Sequence, residues 1–135
     1  MNKYLSSLPF NSADAMLTIV RIVTGLFMAI HGWEVFDATK MGEYAQWDTF
    51  KPGTGLFMAY LGKGSEFVGG VLLALGLLTR LAAIIIFCTM AYISFFIGHG
   101  KVWYEDQHPF MFVLMALIYV VMGGGKWSLD RKFFD

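Results

Sequence analysis

The chain has 135 residues, 57% of them hydrophobic and 15% charged, with a formal net charge of zero. An ordinary soluble domain carries about 25% charged residues and, at this size, buries only about 70% of its unfolded surface, so a soluble globule would leave a wide apolar surface in water. Lipid removes that difficulty, and the lack of any clustered Lys/Arg footprint excludes nucleic acid as a partner.

A bilayer core about 30 Å thick takes around 20 helical residues, and four apolar segments, at about 13–36, 55–78, 81–98 and 109–125, come close to that length. The sequence therefore predicts one all-α domain over 1–135, an integral membrane four-helix bundle with polytopic, antiparallel up-down topology. The first segment has Asn11 or Ser12 as its N-cap and holds Arg21 and His31 before Glu34. Arg21 interrupts the apolar run, so this segment is read as a retained span and not as a cleaved signal. The second is interrupted by Lys63 and Glu66. Only Thr79 and Arg80 separate it from the third, which implies a tight helical hairpin. The third contains the single cysteine, Cys88, and is uncharged up to the stop Gly98-His99-Gly100-Lys101. The fourth opens at Pro109, ends at Gly123-Gly124-Gly125 and is short for a span.

The loop between the first two spans mixes Tyr44, Trp47 and Phe50 with Lys40, Glu43, Asp48 and Lys51, which suits a short helix at the headgroup layer. Trp33, Trp47 and Trp103 on the same side form an aromatic belt. Lys3, Arg80, Lys126, Arg131 and Lys132 on one side narrowly outnumber Lys40, Lys51, Lys63 and Lys101 on the other, which places both termini in the cytoplasm.

Charged groups within spans are the candidate site. An Arg at the centre of a membrane helix costs about 2.5–3.5 kcal/mol on insertion scales, so Arg21 needs a partner, and Glu66 on the next helix lies at a comparable depth. Their pairing would fix the register of the first two helices, or it would border a polar pocket for a ligand or proton. A second candidate is a polar cluster of His31, Glu34, His99 and His108 at one end of the bundle. No metal-ligand spacing, dinucleotide fingerprint, phosphate loop or nucleophilic triad accompanies these groups.

Several landmarks together resemble the DoxX family of small bacterial membrane proteins. They are Arg21-Ile22 with Gly25 and His31-Gly32, then Glu66-Phe67-Val68-Gly69-Gly70, then Leu75-Gly76-Leu77-Leu78-Thr79-Arg80-Leu81-Ala82-Ala83, and Gly123-Gly124-Gly125-Lys126-Trp127-Ser128-Leu129-Asp130. The resemblance implies a four-helix bundle in the bacterial inner membrane. Some members of that family are named for a subunit of a thiosulfate:quinone oxidoreductase, others are linked to oxidative-stress complexes, and distant ones resemble assembly chaperones. One departure stands out: Glu34 occupies the neighbourhood where an HGxxK pattern places a lysine.

The leading expectation is a membrane subunit of a quinone-linked redox system, with Arg21 and Glu66 in an intramembrane pocket, a quinone as its cofactor, and other membrane subunits or further copies of the chain as partners. A bundle without its own redox centre requires a bound cofactor or a partner to carry electrons. The alternative is a non-catalytic accessory or assembly subunit that packs through small-residue faces. A small-solute transporter ranks third, because no inverted repeat or broken helix pair is visible.

Overall fold

A computed structural model describes residues 12–47 and 50–134. Lys3 of the charge placement, the N-cap candidate Asn11 and Asp48 of the first loop lie outside them. Among the described residues six α-helices follow one another: α1 (Ser12–Gly32), α2 (Ala38–Ala45), α3 (Gly55–Leu75), α4 (Thr79–Tyr92), α5 (Gln107–Met122) and α6 (Leu129–Phe134). A 3-10 turn, Trp33–Phe36, extends α1, and a π-helical turn, Ile93–Ile97, extends α4. No strand occurs among the described residues.

Three stretches, Ala13–Phe36, Gly55–Leu75 and Thr79–Ile97, are long and apolar enough to cross a bilayer. The fourth segment is short, as its sequence implies. The 16 residues of α5, at about 1.5 Å each, cover about 24 Å against a hydrocarbon core of about 30 Å. The second span also ends early, at Leu75, because Gly76 takes a left-handed conformation (φ 70°) that terminates the helix.

Consecutive helices pack on one another, α1 on α3, α3 on α4 and α4 on α5. Between α1 and α3 the contact is made by backbone. A Cβ at Gly25 would meet Gly70 O at 2.6 Å, and one at Gly70 would meet Gly25 O at 2.7 Å, while Gly32 lies against Phe67. Partners on α3 recede as α1 advances, so the two helices run in opposite directions. The small residues are therefore contact points that let the backbones approach.

Met28, Leu73, Ala82, Ile86, Phe112 and Ala116 form the interior of the bundle. Around it, Leu26, Phe27, Phe57, Phe96, Leu114, Val121 and many other large apolar side chains face outward. An apolar surface of that extent is not sustained in water and marks the chain's solvent as lipid.

Candidate functional site

The expected ion pair between Arg21 and Glu66 does not form. Arg21, only 2% exposed, donates through Nη1 to Gly124 O and through Nη2 to Trp127 O at 3.2 Å. Both acceptors belong to the turn after α5, next to the Gly76 end of α3. Glu66, 3% exposed, sits ten residues before Gly76 on α3 and bonds to Lys63 Nζ at 3.2 Å. The antiparallel register accounts for this separation. It puts Arg21 at the height of Gly76, which leaves roughly 15 Å of helix between the two charges.

At the Arg21 end every tie is architectural. Asp130 accepts from Leu78 N at 2.6 Å and Thr79 N at 2.8 Å, so its carboxylate satisfies the free amides at the start of α4 from a distant part of the chain. Asp130 N donates in return to Gly76 O at 2.8 Å. Burial raises the Asp130 carboxyl, but the hydrogen bonds from Thr79 and Leu78 and the charge of Arg21 outweigh it and hold the group below its ordinary value of 3.8. Tyr119 Oη adds a bond to Leu17 O at 2.6 Å, and Lys126 pairs with Asp14 at 3.5 Å. The Gly76–Thr79 and Ser128–Asp130 stretches, distant in sequence, are thus two halves of one joint.

At the other end the charges form a chain. Lys63 Nζ lies 3.3 Å from Glu34 and 3.2 Å from Glu66, while Lys40 Nζ reaches Glu34 at 3.1 Å. Tyr44 Oη donates to Glu34 at 2.5 Å, and Lys63 also lies over the Tyr44 ring, 5.2 Å from its centroid. Burial first, and then the bond to Glu34, push the Tyr44 phenol up to about 12. The short helix α2 presents Tyr44 and Lys40, and Asp37 caps it by accepting from Thr39 N and Lys40 N at 3.1 and 3.2 Å.

Beside this chain lies a cavity of about 630 Å³. Glu66, Lys63, His31, His108 and Tyr44 form its polar end, and Trp47 and Phe50 lie on it as a near-parallel pair with ring centroids 6.5 Å apart. Its remaining wall is apolar and includes Leu61, Ile84 and Cys88, which are exposed on the flank of α3 and α4. The cavity therefore opens sideways between those helices, towards lipid. Its size falls within the range of pockets for small organic ligands.

Of the predicted histidines, His31 and His108 come together, with ring centroids 5.4 Å apart. His99 does not join them among the cavity-lining residues; its backbone N–H donates to Asp106 at 2.9 Å in the turn that closes on α5. Among the described residues no three His, Cys, Asp or Glu side chains are placed to hold a metal ion.

A family model described as DoxX matches residues 16–100. The chain belongs to the DoxX family. The matched region contains α1 beyond its first turn, α2 to α4, and all members of the Glu34–Lys63–Glu66 chain. The DoxX protein is also similar to an uncharacterized protein of Haemophilus influenzae, 40% identical over 76 residues, or 51% of this chain and 57% of the relative. It thus spans little more than half the length of the curated relative it matches. No solved structure matches it significantly.

From the sequence, Lys63 falls in the second span and Tyr44 in the headgroup-layer loop after the first span, but neither is a candidate site residue there. Lys63 could have been found from its spacing, since Lys63 and Glu66 stand three residues apart on one helical face. Tyr44 carries no such signal, because only the folding of α2 onto α3 brings it to Glu34.

Proposed function

We propose that this DoxX protein provides the intramembrane binding site for a lipophilic molecule of quinone type and serves as a membrane subunit of a redox system acting on it. The cavity between α3 and α4 supports this reading most directly. Its apolar wall suits an isoprenoid or alkyl tail entering from the bilayer, and its polar end offers both a donor, Lys63, and an acceptor, Glu66, to a carbonyl or hydroxyl headgroup. Trp47, Phe50 and Tyr44 provide flat faces for a ring. Arg21 takes no part, because its Nη1 and Nη2 donors are already engaged by carbonyls. Electrons come from a partner subunit, since the chain has no flavin or dinucleotide fingerprint. In this reading α5 completes a four-helix antiparallel bundle by thinning the bilayer locally, and both termini face the cytoplasm of a bacterial cell.

Gly62 provides the test. It lines the cavity, and a Cβ there would meet no atom within 4 Å, so Gly62→Leu has room to enter the pocket without displacing the backbone. Purified protein titrated with a decyl benzoquinone should show saturable quenching of Trp47 fluorescence, with Trp47→Phe as control. Gly62→Leu should abolish it. Quenching no greater than partition into empty micelles defeats the quinone reading. If the protein then comigrates with larger assemblies on native gels, the accessory-subunit reading takes its place.

A further inference from the structure

The polar end of the cavity is connected to water by a graded series of charges. Lys40, Glu34, Lys63 and Glu66 have side chains 52%, 27%, 19% and 4% exposed, and each lies within 3.3 Å of the next. A purely structural ion pair would need only two of these groups. Here two cations and two carboxylates alternate, so the series is neutral as a whole, and its innermost member borders the cavity.

We propose that Glu66 exchanges a proton with the headgroup of the pocket's ligand, and that Lys63 and Glu34 carry that proton to and from the aqueous face that holds α2. The inference rests on the binding reading above and narrows the ligand to lipophiles whose ring bears an acidic hydroxyl. Such a headgroup both donates and accepts, which matches a site made of one acceptor and one donor. In the exchange the ligand O–H bond breaks and an O–H bond forms on the Glu66 carboxylate. The ligand oxyanion then faces Lys63 Nζ. The proton then leaves in one concerted shift along the hydrogen-bonded series, Glu66 giving a proton to Lys63 as Lys63 gives one to Glu34 and Glu34 gives one to water, so that Glu34, which Tyr44, Lys40 and Lys63 hold as a carboxylate, never stores the proton. No electron moves in this step.

The other titratable groups that line the cavity with Glu66 and Lys63 are His31 from α1, Tyr44 from α2, Cys88 and Tyr92 from α4, and His108 from α5. The two histidine rings line the same cavity, so the test must separate them from Glu66. An alkylated hydroxynaphthoquinone serves as the probe, and its O-methyl ether, which has no exchangeable proton, as the control.

Binding of the acidic probe to wild-type protein should change the bound protons by about one, measured with a pH indicator, whereas the ether should change none. An infrared carboxyl band accompanying binding should vanish in Glu66→Gln and persist in the double variant His31→Phe, His108→Phe. Glu34→Gln, which leaves the cavity wall intact, should slow the proton change by at least about tenfold with little loss of affinity. For wild type alone, the rate should fall in deuterium oxide. A proton change that survives Glu66→Gln, a rate unaffected by Glu34→Gln, or a rate insensitive to deuterium overturns the relay while the binding site stands. Failure of both probe and ether to bind overturns the site itself.

Discussion

Arg21 and Glu66 are almost equally buried, yet their surroundings differ in what they leave open. The guanidinium is fastened to Gly124 O and Trp127 O, and Asp130, Gly76 and Ser128 close around it. The carboxylate instead shares one ammonium with Glu34 and borders a cavity of about 630 Å³. An intramembrane charge is therefore not by itself a sign of function. Arg21 meets the cost of burial with backbone carbonyls and joins helix ends, whereas Glu66 retains acceptor capacity beside a space that a ligand can enter.

The sharpest way to break this contrast is to remove each charge in turn. Arg21→Met leaves two carbonyls without their donors and should destabilise the protein by about 3–5 kcal/mol, read as a large fall in thermal midpoint in detergent. Glu66→Gln keeps the shape and a hydrogen-bonding group and should leave that midpoint nearly unchanged. Equal losses from the two variants would erase the distinction between a joint and a site.

The glycines repeat the comparison at a smaller scale. Gly70→Ala drives a methyl against Gly25 O and Met28, where backbone cannot yield, and should cost about 1–3 kcal/mol. Gly62→Leu adds a larger side chain to open space and should leave stability intact while abolishing ligand binding. A thermal melt and the fluorescence titration, run on both variants, separate the two effects.

Asp130 tests the joint through pH. Its carboxyl is held below 3.8 in the folded protein, so its contribution is fully present above that value and is lost as pH falls through the lowered one. Asp130→Asn should therefore be less stable than wild type at neutral pH, by about 1 kcal/mol as for a lost helix cap, and the two should converge in acid. Midpoints that stay apart at low pH would show that the carboxylate charge is not what holds α4.

Much of this was legible in the sequence, for reasons that differ by residue. Apolar length gave three spans, the short link at Thr79 and Arg80 gave the hairpin, whose turn lies a few residues earlier at Gly76 because Thr79 and Arg80 already belong to α4, and the aromatic and charged mixture at 40–51 gave a short helix, α2. The resemblance carried the family. The Arg21–Glu66 pairing failed because similar depth was read from span midpoints, whereas the contacts of Gly25 with Gly70 and Ala74 fix the register several residues away. No pattern in a single sequence reports that sliding term. Asp130 was hidden for another reason, since its partners lie 51 and 52 residues away and are backbone amides, which leave no mark on residue type.

The mildest prediction concerns the water-facing end of the charge series. Tyr44 holds its proton up to about 12 through burial and its bond to Glu34, against an ordinary value of 10.0. Because the folded value is raised, the associated stability is complete below pH 10.0 and is lost as pH rises through about 12. In Glu34→Gln the acceptor loses its charge, so the phenol should ionise at a lower pH, visible in the ultraviolet tyrosinate band after subtraction of a Tyr44→Phe spectrum. Tyr44→Phe itself should cost only about 0.5–1.5 kcal/mol, the net worth of one hydrogen bond. A Tyr44 titration unmoved by Glu34→Gln would detach α2 from the charge series. Glu66 would then reach water by some route other than α2.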